Sequence, residues 1–195
     1  MNNQRFDTTR NVSIISAIVN TLLAISKIII GIIGRSQALV ADGLHSVSDV
    51  VSDALVVVAA KASQQQPDEQ HPYGHQRIET IAVIIIAMIL LVIGIGILYT
   101  ALMELVHQDY GKPPTLLALI IAIVSIIANE LLFHYCHYKG KQIESDLLIS
   151  NAWHNRSDAL VSLIVVISII GGFLGLHWLD AVGAGIIALL LILSL

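Results

Sequence analysis

The chain is poor in the residues on which much metal and nucleic-acid chemistry is built. One of its 195 residues is a cysteine, Cys136, which excludes an intramolecular disulfide and every motif built from several thiolates. Histidines and carboxylates are left as the available metal ligands. Charge is scarce too: 12% of the residues are charged and the net charge is −4, so there is no basic stripe or arginine-rich segment and no nucleic-acid partner is expected. A signal peptide is also not expected, because residues 1–11 are polar and the first apolar run is long enough to be retained as a span. What the chain has in excess is apolar surface. Its hydrophobic content of 56% and mean hydropathy of +0.82 lie well outside the range of soluble domains and point to an integral membrane protein.

Apolar runs long enough to cross a hydrocarbon core of roughly 30 Å predict six helices over about 12–33, 37–61, 78–105, 115–138, 147–171 and 178–195. The expected fold is an all-α six-helix transmembrane bundle forming a single domain over 1–195. Arg5, Arg10, Lys61, Arg77, Lys139 and Lys141 fall at one end of these spans, and Arg35 and Lys112 in loops at the other. The positive-inside rule therefore puts both termini in the cytoplasm. Tyr135 and Tyr138 at one boundary, and Tyr99, Tyr110 and Trp178 at the other, suit interfacial belts.

Two segments stand out against this background. His45-Ser-Val-Ser-Asp49 and His154-Asn-Arg-Ser-Asp158 repeat the pattern His-x-x-Ser-Asp within the second and fifth spans. An imidazole and a carboxylate at i and i+4 share one helix face, so each turn offers two metal-ligating groups in one direction. With helix 2 descending to the cytoplasm and helix 5 ascending from it, the turns lie on antiparallel helices at depths where they can meet. Ionisable groups at such depth are costly to desolvate and mark a functional site, here one for a cation.

Two imidazoles and two carboxylates suit tetrahedral Zn²⁺, with Co²⁺, Cd²⁺ and Fe²⁺ chemically adjacent. Mg²⁺ and Ca²⁺ want six or more oxygens, and Mn²⁺ would be better served by carboxylates at positions 45 and 154. Two aspartates neutralise a dication, whereas without it they repel each other, so protons compete with metal for the same groups. A site facing each side in turn would thereby couple outward metal movement to inward proton movement.

Other polar residues of the spans have two readings each. Asp42 and Asp53 either extend a polar stripe along helix 2 or sit solvated or capping nearer its ends, and Asn20 either supports a ligand or pairs helices. Glu130 reads as a water-cavity or interfacial residue rather than a direct ligand. His134 and His137, beside Cys136, read as interfacial packing. Gly94, Gly96, Gly183 and Gly185 are candidates for close helix approach.

Leu39-Val-Ala-Asp-Gly-Leu-His-Ser-Val-Ser-Asp49, His71-Pro-Tyr-Gly-His75-Gln-Arg-Ile-Glu79 and His154-Asn-Arg-Ser-Asp158, in this order across six spans, resemble the cation diffusion facilitator family. The resemblance implies a divalent-cation/proton antiporter exporting Zn²⁺ or a similar metal by alternating access, usually as a homodimer in a lipid membrane. It implies His45, Asp49, His154 and Asp158 as the transport site, in the zinc-type rather than the all-aspartate manganese-type pattern. It also implies a secondary metal site at Asp68, His71 and His75, where Pro72 and Gly74 set the turn; the other reading of this loop is that it only orders the entry to helix 3. No prosthetic group is implied. Most members of the family continue into a cytosolic α/β domain, which these 195 residues do not include, so the chain is expected to be a short member or a truncated one. The compact chain, without a long histidine-rich loop, favours a multi-pass bacterial inner-membrane protein.

A membrane metalloenzyme would want three ligands, an open position and a general base. The chain offers four balanced ligands, no His-Glu-x-x-His turn and no adjacent nucleophile, so no enzyme activity is expected. A metal-sensing membrane protein with a static site is the remaining alternative, and metal flux is what separates it from a transporter.

Overall fold

Hydrocarbon offers the backbone no hydrogen-bond partner, so each apolar run has to satisfy its own amides by forming a helix. The computed structural model describes residues 2–62, 76–108, 110 and 112–194, with side chains for 7–52, 84–108, 110 and 112–194. The described residues form six helices: α1 (Asn2–Ile33), α2 (Gln37–Ala62), α3 (Gln76–His107), α4 (Leu116–Gln142), α5 (Asp146–Phe173) and α6 (Trp178–Leu193). Among the described residues, α1, α3, α4 and α5 each contain a stretch long and apolar enough to cross a membrane, and α6 is a shorter apolar helix. The expected all-α membrane bundle is therefore what the chain adopts. Most helix ends agree with the hydropathy reading to within about four residues. The exception is the start of α1, where the helix continues through the polar residues 2–11, because hydropathy marks the span and not the end of backbone bonding.

Three of the helices end in the same way. Arg35, Glu144 and Gly175 adopt φ of 56°, 52° and 89°. The amide that follows each one reaches back to a carbonyl of the last turn, as in Ser36 to Gly31 at 3.0 Å and Ser145 to Gly140 at 2.9 Å. This left-handed stop absorbs carbonyls that a helix end leaves open and reverses the chain within a few residues.

The faces of α1 show how a membrane bundle sorts its side chains. Ile14, Ile18, Leu22, Ile25, Ile29 and Ile32 form an outward apolar stripe, whereas Val12, Ser16, Ala24, Lys27 and Gly31 are buried. Lipid accepts the large apolar face, so the small and polar face turns inward. Helix α1 packs chiefly on α2, α4 on α5, and α3 on α6, with α2 and α6 in further contact. The α1–α2 contact is close because two glycines allow it. A Cβ on Gly31 would lie 2.9 Å from the Val40 amide, and one on Gly43 would lie 2.9 Å from the Ile28 amide. Of the other glycines singled out, Gly183 meets Ser168 closely and Gly94 meets Ile192, while Gly185 makes ordinary contacts and Gly96 faces open space.

Candidate metal centre

Because α2 and α5 run antiparallel, Asp42 pairs with Ser162 and Asp49 with His154. Asp49 is twelve residues into α2 and Asp158 twelve residues into α5, which puts each about 18 Å along its helix. The helices enter from opposite ends, so the two His-x-x-Ser-Asp turns meet near mid-bundle. His45, Asp49 and Asp158 each offer a ligand atom within 4.8 Å of the others. His154 completes the cluster, its Nε2 lying 3.9 Å from Asp49 Oδ2 and 3.8 Å from Asp158 Oδ2. His45 Nε2 is 3.8 Å from Asp49 Oδ2. These separations are too long for hydrogen bonds and slightly wider than the edge, about 3.4 Å, of a tetrahedron around an ion bound at ~2.1 Å. His45 Nδ1 is buried with no hydrogen-bond partner.

The cluster borders a cavity of about 650 Å³. The lining runs from Asp49, His154 and Asp158 past Asn20 to Ser13 and Leu147, so the cavity extends toward the end of the bundle where α1 and α5 begin. Asn20 donates to Asn155 Oδ1 at 3.0 Å, and Asn155 donates to Ser16 at 3.4 Å. Asn20 thus pairs α1 with α5, holding the residue next to His154.

At the opposite end a second cavity, about 470 Å³, is lined by Arg35, Gln37, Glu104, Tyr110, His177 and Asp180 among others. The buried residues Ala38, Leu39, Val165, Ile169 and Ile187 belong to one apolar cluster. A set of polar contacts ties α2, α3 and α6 together at this end. Asp180 of α6 accepts from Ser36 Oγ and from the Gln37 amide, both at 2.7 Å. Ser36 Oγ in turn accepts from the Leu39 amide at 3.2 Å, and the Gln37 side chain donates to Glu104 of α3. Of the free amides at the start of α2, that of Gln37 is thereby satisfied from α6 and that of Leu39 locally by Ser36.

Asp42 is a correction to one of its two readings. It is neither solvated nor a helix cap: only 1% exposed, it accepts from the Lys27 ammonium at 2.9 Å and from Ser162 Oγ at 2.9 Å. Lys27, which sequence reasoning passed over, is fully buried on α1 and also donates to Ser46 Oγ at 3.2 Å. Its signal was a lone lysine in register with Ser16, Asn20 and Gly31 on the small, polar face of α1. Glu130 lies 3.5 Å from His134 and 4.0 Å from Arg156, on the face of α4 turned to α5. His134 and His137 pack against Phe133, whose ring also carries the Arg156 guanidinium at 4.6 Å. The Asp53 side chain and the loop residues Asp68, His71 and His75 lie outside the described residues.

The model of the cation efflux transmembrane domain matches residues 13–195. This chain belongs to that family. It is 37% identical to an uncharacterised transporter of Methanocaldococcus jannaschii over 91% of its own length and 62% of that protein's. It is 33% identical to the manganese efflux system protein MneP of Bacillus subtilis over 98% of its length and 66% of that protein's. The magnetosome protein MamB of a Magnetospira species is 38% identical over 83% of the chain and 56% of its own length. The chain thus spans between 56% and 66% of the length of these relatives. Membership in the cation efflux family agrees with the multi-pass membrane architecture described above.

Proposed function

We propose that this chain moves divalent metal ions out of the cytoplasm in exchange for protons, with Zn²⁺ as the preferred substrate and Cd²⁺, Co²⁺ and Fe²⁺ as neighbours in chemistry. The observation that carries this reading is the convergence of two carboxylates and two imidazoles from antiparallel helices beside a cavity that reaches one end of the bundle. The donors His45, Asp49, His154 and Asp158 carry two negative charges between them, which balance a dication and make its burial tolerable. Imidazole nitrogens favour Zn²⁺ over harder ions.

In this reading the end where α1 and α5 begin is cytosolic, as the placement of Arg10, Lys139 and Lys141 supports, and the open cavity gives the inward-facing state. Protons that bind the donors in the metal's absence are released when metal enters, and alternating access turns that competition into exchange. Asp68, His71 and His75 then serve as an entry site in the cytosolic loop. The working unit is a homodimer in a lipid bilayer, the bacterial inner membrane by style of sequence.

The test is Zn²⁺ flux in sealed proteoliposomes carrying a pH gradient. Transport with dissipation of the gradient is expected, and a chain that binds Zn²⁺ but moves neither ion would be a static metal-binding protein. Manganese is the second reading, favoured by the name of the Bacillus subtilis relative. Flux of Mn²⁺ exceeding that of Zn²⁺ at equal free concentration would establish it and overturn the zinc preference.

A further inference from the structure

Helix α2 carries a ladder of three polar residues on one face, Asp42, Ser46 and Asp49, at i, i+4 and i+7. The Lys27 ammonium spans the first two rungs, at 2.9 Å from Asp42 and 3.2 Å from Ser46. The third rung belongs to the donor cluster, and Lys27 lines the same cavity as Asp49 and Asp158. Successive rungs are about 5 Å apart along the helix, a distance that rotamer changes in a four-carbon stem can cover. The root of that stem is pinned: Gly43 brings α2 so near that a Cβ there would lie 3.1 Å from Lys27 Cβ. Only the tip is left to choose among the rungs.

A buried ammonium next to carboxylates that attract a dication is a rival for them. What holds Lys27 away is Asp42, itself fixed from α5 by Ser162. We propose that Lys27 is an intramolecular competitor of the metal ion, parked across Asp42 and Ser46 and movable one rung further along α2, toward Asp49 and Asp158. Asp42 then sets metal affinity without touching the ion, and release of Lys27 toward the donor cluster helps expel it. This inference rests on the proposed metal site, which Asp49→Ala tests separately.

The experiment is Zn²⁺ titration calorimetry on the purified full chain, comparing wild type with D49A, D42N and the charge-neutral double variant K27M/D42N. D42N unparks the ammonium and is expected to weaken binding about tenfold or more. K27M/D42N removes the competitor and is expected to bind at least about threefold tighter than wild type. Wild-type binding that is lost in D49A but changes less than about twofold in D42N overturns the inference alone. Absence of saturable wild-type binding, or binding unaltered in D49A, overturns the site and the inference with it. Should D42N not fold, the double variant decides: tighter binding supports the competitor, and equal or weaker binding, as expected of a mere brace between helices, overturns it.

Discussion

Asp42 and Asp49 occupy one face of one helix, seven residues apart, and their surroundings treat the same carboxylate in opposite ways. Around Asp42 the protein supplies its own cation and a hydroxyl from a third helix, so the layer is neutral as built. Around Asp49 it gathers a second carboxylate, Asp158, and two imidazoles, four groups that can each offer a lone pair. Burial therefore does not by itself mark a metal site. The informative quantity is whether the charge of a buried layer is balanced by the chain or left for something else to balance.

The comparison predicts that removing either kind of aspartate is severe, but in different measurements. Asp49→Ala or Asp158→Ala is expected to reduce metal flux by about 100-fold or more while the protein still inserts and melts normally without metal. Wild-type flux in Asp158→Ala would remove that residue from the site. Asp42→Ala removes the carboxylate that joins Lys27 of α1 to Ser162 of α5 and is expected to cost about 3–5 kcal/mol of stability, seen as a lower melting temperature with or without Zn²⁺. If Asp42→Ala melts like the wild type, the neutral layer does not brace the fold. Smaller and more selective is His45→Asp, which hardens the donor set and is expected to move the Zn²⁺-to-Mn²⁺ flux ratio toward Mn²⁺ by about tenfold; an unchanged ratio would exclude His45 from coordination. Least is expected from the loop. His71→Ala should lower flux only severalfold, and its abolition would make the loop the primary site.

The legibility of these two layers in the sequence differed for a physical reason. The donor cluster was visible because helical periodicity puts each histidine over its aspartate, and two such turns on antiparallel spans have a natural meeting point. Five of the six helix starts followed from hydropathy in the same way. The neutral layer depends on a contact between α1 and α2 that two glycines allow, and no periodicity announces the partner of a lone lysine. Asp180 was hidden still deeper, since its bond to the Gln37 amide joins residues 143 positions apart. The loop residues Asp68, His71 and His75 rest on the family resemblance alone.

The glycine contacts have a further consequence. With backbones nearly touching at Gly31 and Gly43, α1 and α2 pack as a tight hairpin, whereas the four candidate donors are shared evenly between α2 and α5, one imidazole and one carboxylate on each. If these donors bind the ion as proposed, sliding of the α1–α2 hairpin relative to α5 would divide the coordination sphere into two equal halves of charge −1. Each half would then keep one imidazole and one carboxylate, two ligands short of a tetrahedral Zn²⁺ site, so on the proposed assignment separation of α2 from α5 would favour release of the ion.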